Sequence, residues 1–573
     1  MTSIRRRTLL GGGIGAAAAM TLGTRPARAA DSDLTSWSRR AILGEGTALE
    51  AAAAPVGSSG YTRLTSGPGY PLTVRTDLCP AQAKRDDTRT ARASIVQFTD
   101  VHVVDAQSPV RFEWLHQITG SAFRPHEALG TQGGAQLVRR VNELGKGPFS
   151  GRAFDCVVTT GDSSDNHERV ELDWFLAMMS GGAITANTGS PTEWEGVQNA
   201  GDSLYYLPES TASDTYKKVG FPTLPGFFER ATTPHTSEGL KTEWFSVFGN
   251  HDDSIEGTLP SGTPILADMY TGGFKFTGFD DTSANLALRR SSIGGQSAIP
   301  KSSSLAKSRW EITPDERRAT FTPREFMAAH LDPKVDGPGP HGHGFTADAV
   351  ADGVGYYSFQ IAQGVVGISM DSTNRAGFTD GSIGDEQFRW IKRTIEASSS
   401  RYYDGWGIEH RTDRSDQLFV LFSHHTSDSM NNLLLAPDKL EIRHSGSELV
   451  SSLQRYPNVV AWVNGHTHDN KITPHHHNDP TRSFWEINTA SHVDFPQHTR
   501  IIDVCDNADG TLSLFTTLIE SAAPYQAAYD DGSPSALASL YRELSYNDIH
   551  RDPNRIGTAA DRNTELLLKN PMA

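Results

Sequence analysis

The chain has 573 residues, of which 37% are hydrophobic and 21% charged, as in a globular protein with a sizeable core. Its 52 Lys and Arg against 68 Asp and Glu give a formal net charge of −16, which disfavours electrostatically driven binding of nucleic acid. Only three cysteines are present, which excludes a disulfide scaffold and a Cys-rich zinc module. The 21 histidines, by contrast, are numerous.

Residues 1–29 have the pattern of an export signal. Arg5, Arg6 and Arg7 precede a mild apolar run of about thirteen residues, and small residues around Ala29 follow it. The consecutive arginines and the Gly/Ala-rich run favour the twin-arginine route, with its export machinery as a partner. The alternative is a membrane anchor, but a spanning helix needs roughly 20 apolar residues. We therefore expect a cleaved signal, no stable membrane span afterwards and an extracytoplasmic protein, secreted or associated with the cell envelope. Cleavage would lower the formal net charge from −16 to −21.

The rest of the chain predicts an α/β fold with long insertions. Residues 30–92 have a mixed composition and are interpreted as an N-terminal extension. From Ser94 onward, short apolar runs that predict buried strands recur, with helical patterns between several of them. Two long segments rich in turn signals, about 181–240 and 254–350, are interpreted as insertions over the active site. Residues 506–573 are interpreted as a C-terminal extension.

Five polar clusters each follow a predicted strand. Ligands at the carboxyl ends of strands converge at one edge of an α/β sheet. As candidate ligands the clusters supply two Asp, one Asn and four His with no thiolate, which suits a pair of borderline cations such as Fe, Mn or Zn. Either histidine of the fourth cluster could be the ligand. The clusters are Asp100-Val101-His102, Gly161-Asp162-Ser163-Ser164-Asp165-Asn166, Gly249-Asn250-His251-Asp252, Ser423-His424-His425 and Asn464-Gly465-His466-Thr467-His468.

The order of these clusters resembles that of the calcineurin-like metallophosphoesterase superfamily. The resemblance covers roughly residues 93–505, with both insertions unmatched, and the segments FTDVHVVDAQSP and NTASHVDFPQHTR are similar to an exported bacterial subgroup with a twin-arginine signal. It implies a layered β-sandwich core flanked by helices, with 93–505 as the catalytic domain. It also implies His424 rather than His425 as the ligand, because the family uses the first histidine after the strand. The implied ligands are Asp100, His102 and His468 for the first metal, Asn250, His424 and His466 for the second, and Asp162 as the bridge.

The resemblance further implies a phosphoesterase that hydrolyses phosphodiesters or phosphomonoesters by attack of a metal-bound hydroxide. His251 matches the family's catalytic histidine, and we expect Asp252 to hold its imidazole in the protonated form. Purple acid phosphatases of this superfamily have Gly and Tyr where this chain has His102 and Asp165, so no tyrosinate ligand is available and phosphodiesters are favoured. The negative net charge favours a small phosphoester over a long nucleic acid. A non-catalytic cell-surface binding protein on the same fold is the alternative.

Overall fold

The structure is a computed structural model that describes residues 44–83, 85–116, 119–261, 268–277, 309–436 and 439–573. The predicted export signal, residues 1–29, and part of the second predicted insertion lie outside the described residues. Within the described ranges, no helix is long and apolar enough to cross a membrane.

The first large sheet carries three of the five polar clusters. Its strands Thr90–Phe98, Cys156–Thr159 and Trp244–Ser246 are parallel neighbours, so their carboxyl ends lie at the same edge. In spatial order, the strands that the described residues contribute are Thr73–Arg75, Thr564–Lys569, Thr511–Ile519, Thr499–Asp506, Thr90–Phe98, Cys156–Thr159 and Trp244–Ser246.

The second large sheet carries the other two clusters. The strands Leu418–Phe422 and Val459–Asn464 are parallel neighbours at its centre and are buried along their whole length. In spatial order, the described strands are Tyr357–Ala362, Val365–Ser369, Leu418–Phe422, Val459–Asn464, Phe484–Asn488 and Lys471–His475. Both sheets contain parallel and antiparallel pairs, so the predicted α/β class is confirmed as a mixed α/β fold.

One hydrophobic cluster joins the two sheets. Val96 and Val157 of the first sheet and Val420 and Val463 of the second belong to it, and all four are fully buried. Runs of β-branched residues supply such strands because both of their faces pack against apolar neighbours. The described α-helices around this core are Gly130–Leu144, Arg169–Ser180, Phe227–Thr232, Asn250–Asp253, Pro323–His330, Ala347–Asp352, Asp385–Glu396, Gly446–Leu453 and Pro534–Tyr546. Small two-stranded ribbons complete the described fold: Ala51–Pro55 with Leu64–Pro68, Gly182–Ile184 with His235–Ser237, Ser254–Ile255 with Leu259–Pro260, Phe274–Phe276 with Arg309–Glu311, Ile383–Gly384 with Arg443–His444, and Arg401–Tyr403 with Glu409–Arg411.

The two terminal segments are part of the first sheet. Strand Thr73–Arg75 comes from the predicted N-terminal extension, and strands Thr511–Ile519 and Thr564–Lys569 come from the predicted C-terminal one. Thr511–Ile519 pairs along its length with Thr499–Asp506 as an antiparallel hairpin. The boundary that we predicted at 505/506 therefore runs through a sheet.

The first predicted insertion shares a hydrophobic core with the C-terminal segment. Tyr206, Tyr216 and Phe227 from residues 181–240 pack in one cluster with Leu540 and Leu544 of the helix Pro534–Tyr546. The insertion and the C-terminal segment thus stabilise each other.

Candidate metal centre

The five clusters converge where the parallel strands of the two sheets end. Asp100, Asp162 and Asn250 follow the three parallel strands of the first sheet, and His424 and His466 follow two neighbouring strands of the second. Among the described residues, groups whose ligand atoms all lie within 4.8 Å of one another overlap at this point. They are Asp100–His102–His468, His102–Asp162–His251, Asp100–Asp162–His424 and His424–His425–His466.

The residues predicted for the first metal form one group. His468 Nε2 lies 3.3 Å from Asp100 Oδ1, and His102 Nε2 lies 3.9 Å from the same oxygen. The backbone amide of His466 donates to the Asp100 carboxylate at 3.1 and 3.2 Å, which ties the fifth cluster to the first. Asp100 is fully buried and His102 and His468 are buried, so these atoms face an interior site.

The residues predicted for the second metal form an adjoining group. Asn250 Oδ1 lies 2.9 Å from His424 Nε2 and 3.1 Å from His466 Nδ1. The Asn250 amide nitrogen donates to the Gly257 carbonyl, which leaves its oxygen directed at the two imidazoles. Asp162 Oδ2 lies 3.1 Å from His424 Nε2 and 3.4 Å from His102 Nε2, so this one oxygen faces both groups.

The protonation pattern of the imidazoles shows that these groups fit cations. His102 and His424 each have Nδ1 within 2.8 Å of an oxygen that only accepts, the Asp165 carboxylate and the Thr160 carbonyl respectively. Each Nδ1 therefore carries the proton, and in the neutral ring each Nε2 presents a lone pair toward Asp162. His102 Nε2 is buried and has no hydrogen-bond partner among the described residues. Lone pairs of nitrogen and oxygen that face one another are stabilised by positive charge, and ligand atoms that share a metal ion at about 2.0–2.1 Å lie roughly 3–3.5 Å apart.

The pKa values at the centre show the same preference for positive charge. Burial would lower the pKa of His424, but Asp162 and then Asp100 raise it to about 9, so a proton on Nε2 is the positive charge held at this nitrogen when no metal ion competes for it. Burial would raise the pKa of Asp100, but His468 and then His424 hold it below its ordinary value. The carboxylates are therefore ionised at neutral pH and attract a cation to the point where the two groups meet.

The hydrogen bonds of His425 indicate which of the two histidines in the fourth cluster is the metal ligand. His425 Nε2 lies 2.8 Å from the Thr379 carbonyl and its Nδ1 lies 2.9 Å from the Ser372 hydroxyl. The carbonyl only accepts, so Nε2 donates to it and Nδ1 accepts from the hydroxyl. Both ring nitrogens are thus engaged by the protein, whereas His424 Nε2 faces Asn250 and Asp162. The geometry favours His424 as the ligand.

The backbone of the centre is held in an uncommon conformation. Positive φ angles between 42° and 72° occur at Asp100, His102, Asp162, His466 and His468. Non-glycine residues rarely adopt such angles, and they cluster at functional sites because the surrounding structure must enforce them. The left-handed turns therefore indicate that these five side chains are aimed at one point by the fold.

His251 and Asp252 are placed differently from our expectation. The His251 amide donates to Asp162 Oδ1 at 2.9 Å, and its ring Nδ1 lies 2.6 Å from the Asp165 carbonyl oxygen. The Asp252 carboxylate accepts instead from the backbone amides of Ser163, Ser164 and Gly249 at 3.0 to 3.1 Å. A backbone carbonyl therefore orients the His251 imidazole, and Asp252 braces the turn that carries Asp162.

Asp165 and Asp494 lie behind two of the predicted ligand imidazoles, and sequence reasoning assigned neither of them a role. Asp165 Oδ1 lies 2.8 Å from His102 Nδ1, and Asp494 Oδ2 lies 2.7 Å from His468 Nδ1. A carboxylate behind a ligating imidazole fixes its orientation and raises its basicity. The signal was present for Asp165, which lies within the second cluster. Asp494 follows the strand Phe484–Asn488 by six residues and has no ligand motif around it.

Comparisons with known proteins place few constraints on this centre. No protein-family model matches the chain, and no curated protein matches it. Among solved structures, the chain is similar to a dimetal phosphatase from Danio rerio, with 10% sequence identity and a TM-score of 0.34. The alignment covers 75% of this chain and 100% of that chain. At this level of similarity, the assignment of the centre depends on its own residues.

Proposed function

We propose that this protein is an exported dimetal phosphoesterase built on a calcineurin-like β-sandwich. The observation that carries the proposal is the convergence of seven oxygen and nitrogen donors on one buried point, where Asp162 Oδ2 faces both groups. Seven donors exceed what one such ion takes, and a shared carboxylate is suited to a pair.

The ligand roles follow the two groups. Asp100, His102 and His468 would hold the first ion, and Asn250, His424 and His466 the second. When bound, two such ions supply Lewis acidity, which acidifies water and withdraws charge from phosphoryl oxygens. The donor set is compatible with Fe, Mn or Zn.

His251 is the group that we assign to proton transfer. Its Nδ1 lies 2.6 Å from the Asp165 carbonyl oxygen and must carry the proton in that contact, so Nε2 is the ring atom free to hold or release one. When Nε2 holds a proton, it can donate to a phosphoester oxygen that leaves with negative charge and so stabilise it. Asp252 acts as a positioning residue, since its carboxylate holds the backbone of the Asp162 turn.

Small phosphodiesters are the substrate class that we favour. His102 and Asp165 occupy the positions where purple acid phosphatases have Gly and Tyr. Asp165 is not a tyrosinate ligand, and its carboxylate contacts the Nδ1 atom of His102. A formal net charge of −16, or −21 after signal cleavage, repels long anionic polymers. Export through the twin-arginine route remains part of the proposal, and protein found only in the cytoplasm with its N-terminus still at Met1 would contradict it.

The test uses the purified chain without residues 1–29, loaded separately with Mn²⁺, Zn²⁺ or Fe²⁺. We expect two ions per chain by elemental analysis and faster cleavage of bis(p-nitrophenyl) phosphate than of p-nitrophenyl phosphate. Asp162→Asn, which removes the shared negative charge, should lower both metal content and turnover. Wild-type protein that holds two ions but cleaves neither ester would refute the phosphoesterase and favour a non-catalytic binding protein.

A further inference from the structure

Asp494 is fixed directly behind the ligand group of the first metal. Its Oδ2 lies 2.7 Å from His468 Nδ1, and His468 Nε2 points to Asp100 Oδ1 at 3.3 Å. The backbone just before Asp494 is tied to the first cluster, because the amide of Val493 donates to the Asp100 carbonyl at 3.1 Å. The position of Asp494 therefore helps to set the orientation of the His468 imidazole, although Asp494 lies on the far side of that ring from Asp100.

Two arginines from distant parts of the chain hold the Asp494 carboxylate. Arg124 Nε lies 2.7 Å from Oδ1, and Arg555 Nη1 lies 2.7 Å from Oδ2. Arg124 comes from the segment before the helix Gly130–Leu144, and Arg555 comes from the short helix Pro553–Ile556 near the C-terminus. Arg124 Nη2 also lies 3.5 Å from Oδ2, so Arg124 spans both oxygens and Arg555 adds a second cation on Oδ2, which favours a single orientation of the carboxylate.

Arg124 also reaches the other outer carboxylate. Its side chain is 1% exposed, and its Nη1 lies 3.5 Å from Asp165 Oδ1, the oxygen that accepts from His102 Nδ1. One guanidinium thus lies between the carboxylates that orient His102 and His468. Both of these histidines belong to the first metal group.

Arg555 contacts the ligand loop a second time through its backbone. Its carbonyl oxygen accepts from the Asn470 amide at 2.9 Å, and Asn470 is two residues after His468. The C-terminal segment therefore touches both the loop that carries His468 and the carboxylate that orients it.

We propose that Arg124 and Arg555 are positioning residues that secure retention of the first metal, and that the C-terminal segment acts on this site through Arg555. The inference rests on the proposed dimetal function. Removing Arg555 removes the 2.7 Å contact on Oδ2, the oxygen that faces His468 Nδ1, and leaves Arg124 as the cation there with Nη2 at 3.5 Å, so His468 is less well oriented. Substitution of such supporting partners typically weakens metal binding by about 10–100-fold.

The primary test compares Arg555→Gln with Arg551→Gln in the full mature chain. Arg551 lies four residues earlier on the same segment, but it donates to the Tyr546 carbonyl and stacks on the Phe495 ring. After loading with Zn²⁺, competition with a chelator of known affinity would measure both dissociation constants. We expect Arg555→Gln to raise the dissociation constant of one of the two ions by about 10-fold or more. Arg551→Gln should leave both affinities unchanged, and Arg555→Lys should restore part of the loss.

A second variant keeps the inference testable if Arg555→Gln folds poorly. Asp494→Asn preserves side-chain volume but removes the negative charge behind His468. It should lower the affinity for the same ion at least as much as Arg555→Gln does. Circular dichroism of the metal-free proteins would show whether each variant is folded. If both variants are folded and each binds both ions with wild-type affinity, the inference is overturned. Because the readout is metal affinity, inactivity toward esters would refute the proposed function alone, and a wild-type chain that holds fewer than two ions would refute both.

Discussion

His251 differs from the two histidines of the first metal group in how its ring is held. Its Nδ1 lies 2.6 Å from a backbone carbonyl, whereas His102 and His468 have Nδ1 on carboxylates. A carbonyl fixes the ring without the negative charge that would strengthen metal binding. The predicted ligand His424 also has Nδ1 on a backbone carbonyl, that of Thr160, so the response of turnover and metal content to removal of His251 is what separates the two roles.

We expect His251→Ala to lower turnover by about 10²–10⁴-fold, because a positioned proton donor contributes that much to such reactions. Metal content should stay near the wild-type value, since the seven predicted ligands are untouched. Steady-state kinetics and elemental analysis check both parts. His410→Ala is the matched control, because that imidazole is 43% exposed on the ribbon Glu409–Arg411. Unchanged turnover in His251→Ala would remove the residue from the mechanism.

At the scale of elements, the turn before the short helix Asn250–Asp253 shows why the third cluster begins with glycine. A Cβ on Gly249 would overlap with the backbone nitrogen and the carboxylate of Asp162. The turns after two neighbouring parallel strands are therefore packed backbone against backbone. This close approach brings Asn250 and Asp162 into one site.

Gly249→Ala should consequently separate these two turns. We expect the variant to lose most of its bound metal and more than about 1 kcal/mol of unfolding free energy, the lower end of the cost of overpacking. Chemical denaturation and elemental analysis measure the two effects. Gly130→Ala is the control, since a Cβ there meets no atom within 4 Å at the start of the helix Gly130–Leu144. Normal metal content in Gly249→Ala would show that the turns can move apart without cost.

At the scale of the whole molecule, charged residues join the two terminal segments within the first sheet. Glu565, on the strand Thr564–Lys569, accepts from Arg85 at 2.6 Å and from Arg89 at 2.7 Å. Glu565 is 2% exposed, so the contact is largely shielded from water. Burial would raise the pKa of Glu565, but Arg85, then Ser513 and Arg89, hold it below its ordinary value of 4.5.

Glu565→Gln should therefore destabilise the protein in a pH-dependent way. A carboxyl whose pKa is lowered by folding contributes stability above its unfolded pKa and loses it as pH falls through the folded pKa. We expect a loss of about 1–3 kcal/mol at pH 7 that shrinks below about pH 4.5. Urea denaturation across this pH range measures it. Glu143→Gln, which removes an exposed partner of Arg139, should show little change at any pH.

The strands and the five clusters could be predicted because their signals are local. The runs Cys156–Thr159 and Leu418–Phe422 are short, apolar and β-branched or aromatic, and polar residues follow each at once. Strand direction then implied that Asp162 and His424 would meet. The predicted α/β class depended on the same patterns.

Contacts between distant turns could not be predicted in this way. Asp252 neighbours His251 in sequence, yet its carboxylate binds amides of the Asp162 turn about ninety residues away in the chain. Arg555 and His468 share Asp494 across separations of 61 and 26 residues, with no motif to connect them.

By itself the sequence determined which chemistry the chain can support: imidazole, carboxylate and amide ligands at the ends of apolar strands, with an acidic overall charge. Only the tertiary structure decided which groups hold those ligands in place. Residue type and strand periodicity are properties of short segments, whereas the orientation of a buried imidazole depends on the partner that packing brings to its second nitrogen. The C-terminal segment, which carries no motif, supplies one of the arginines that fix such a partner.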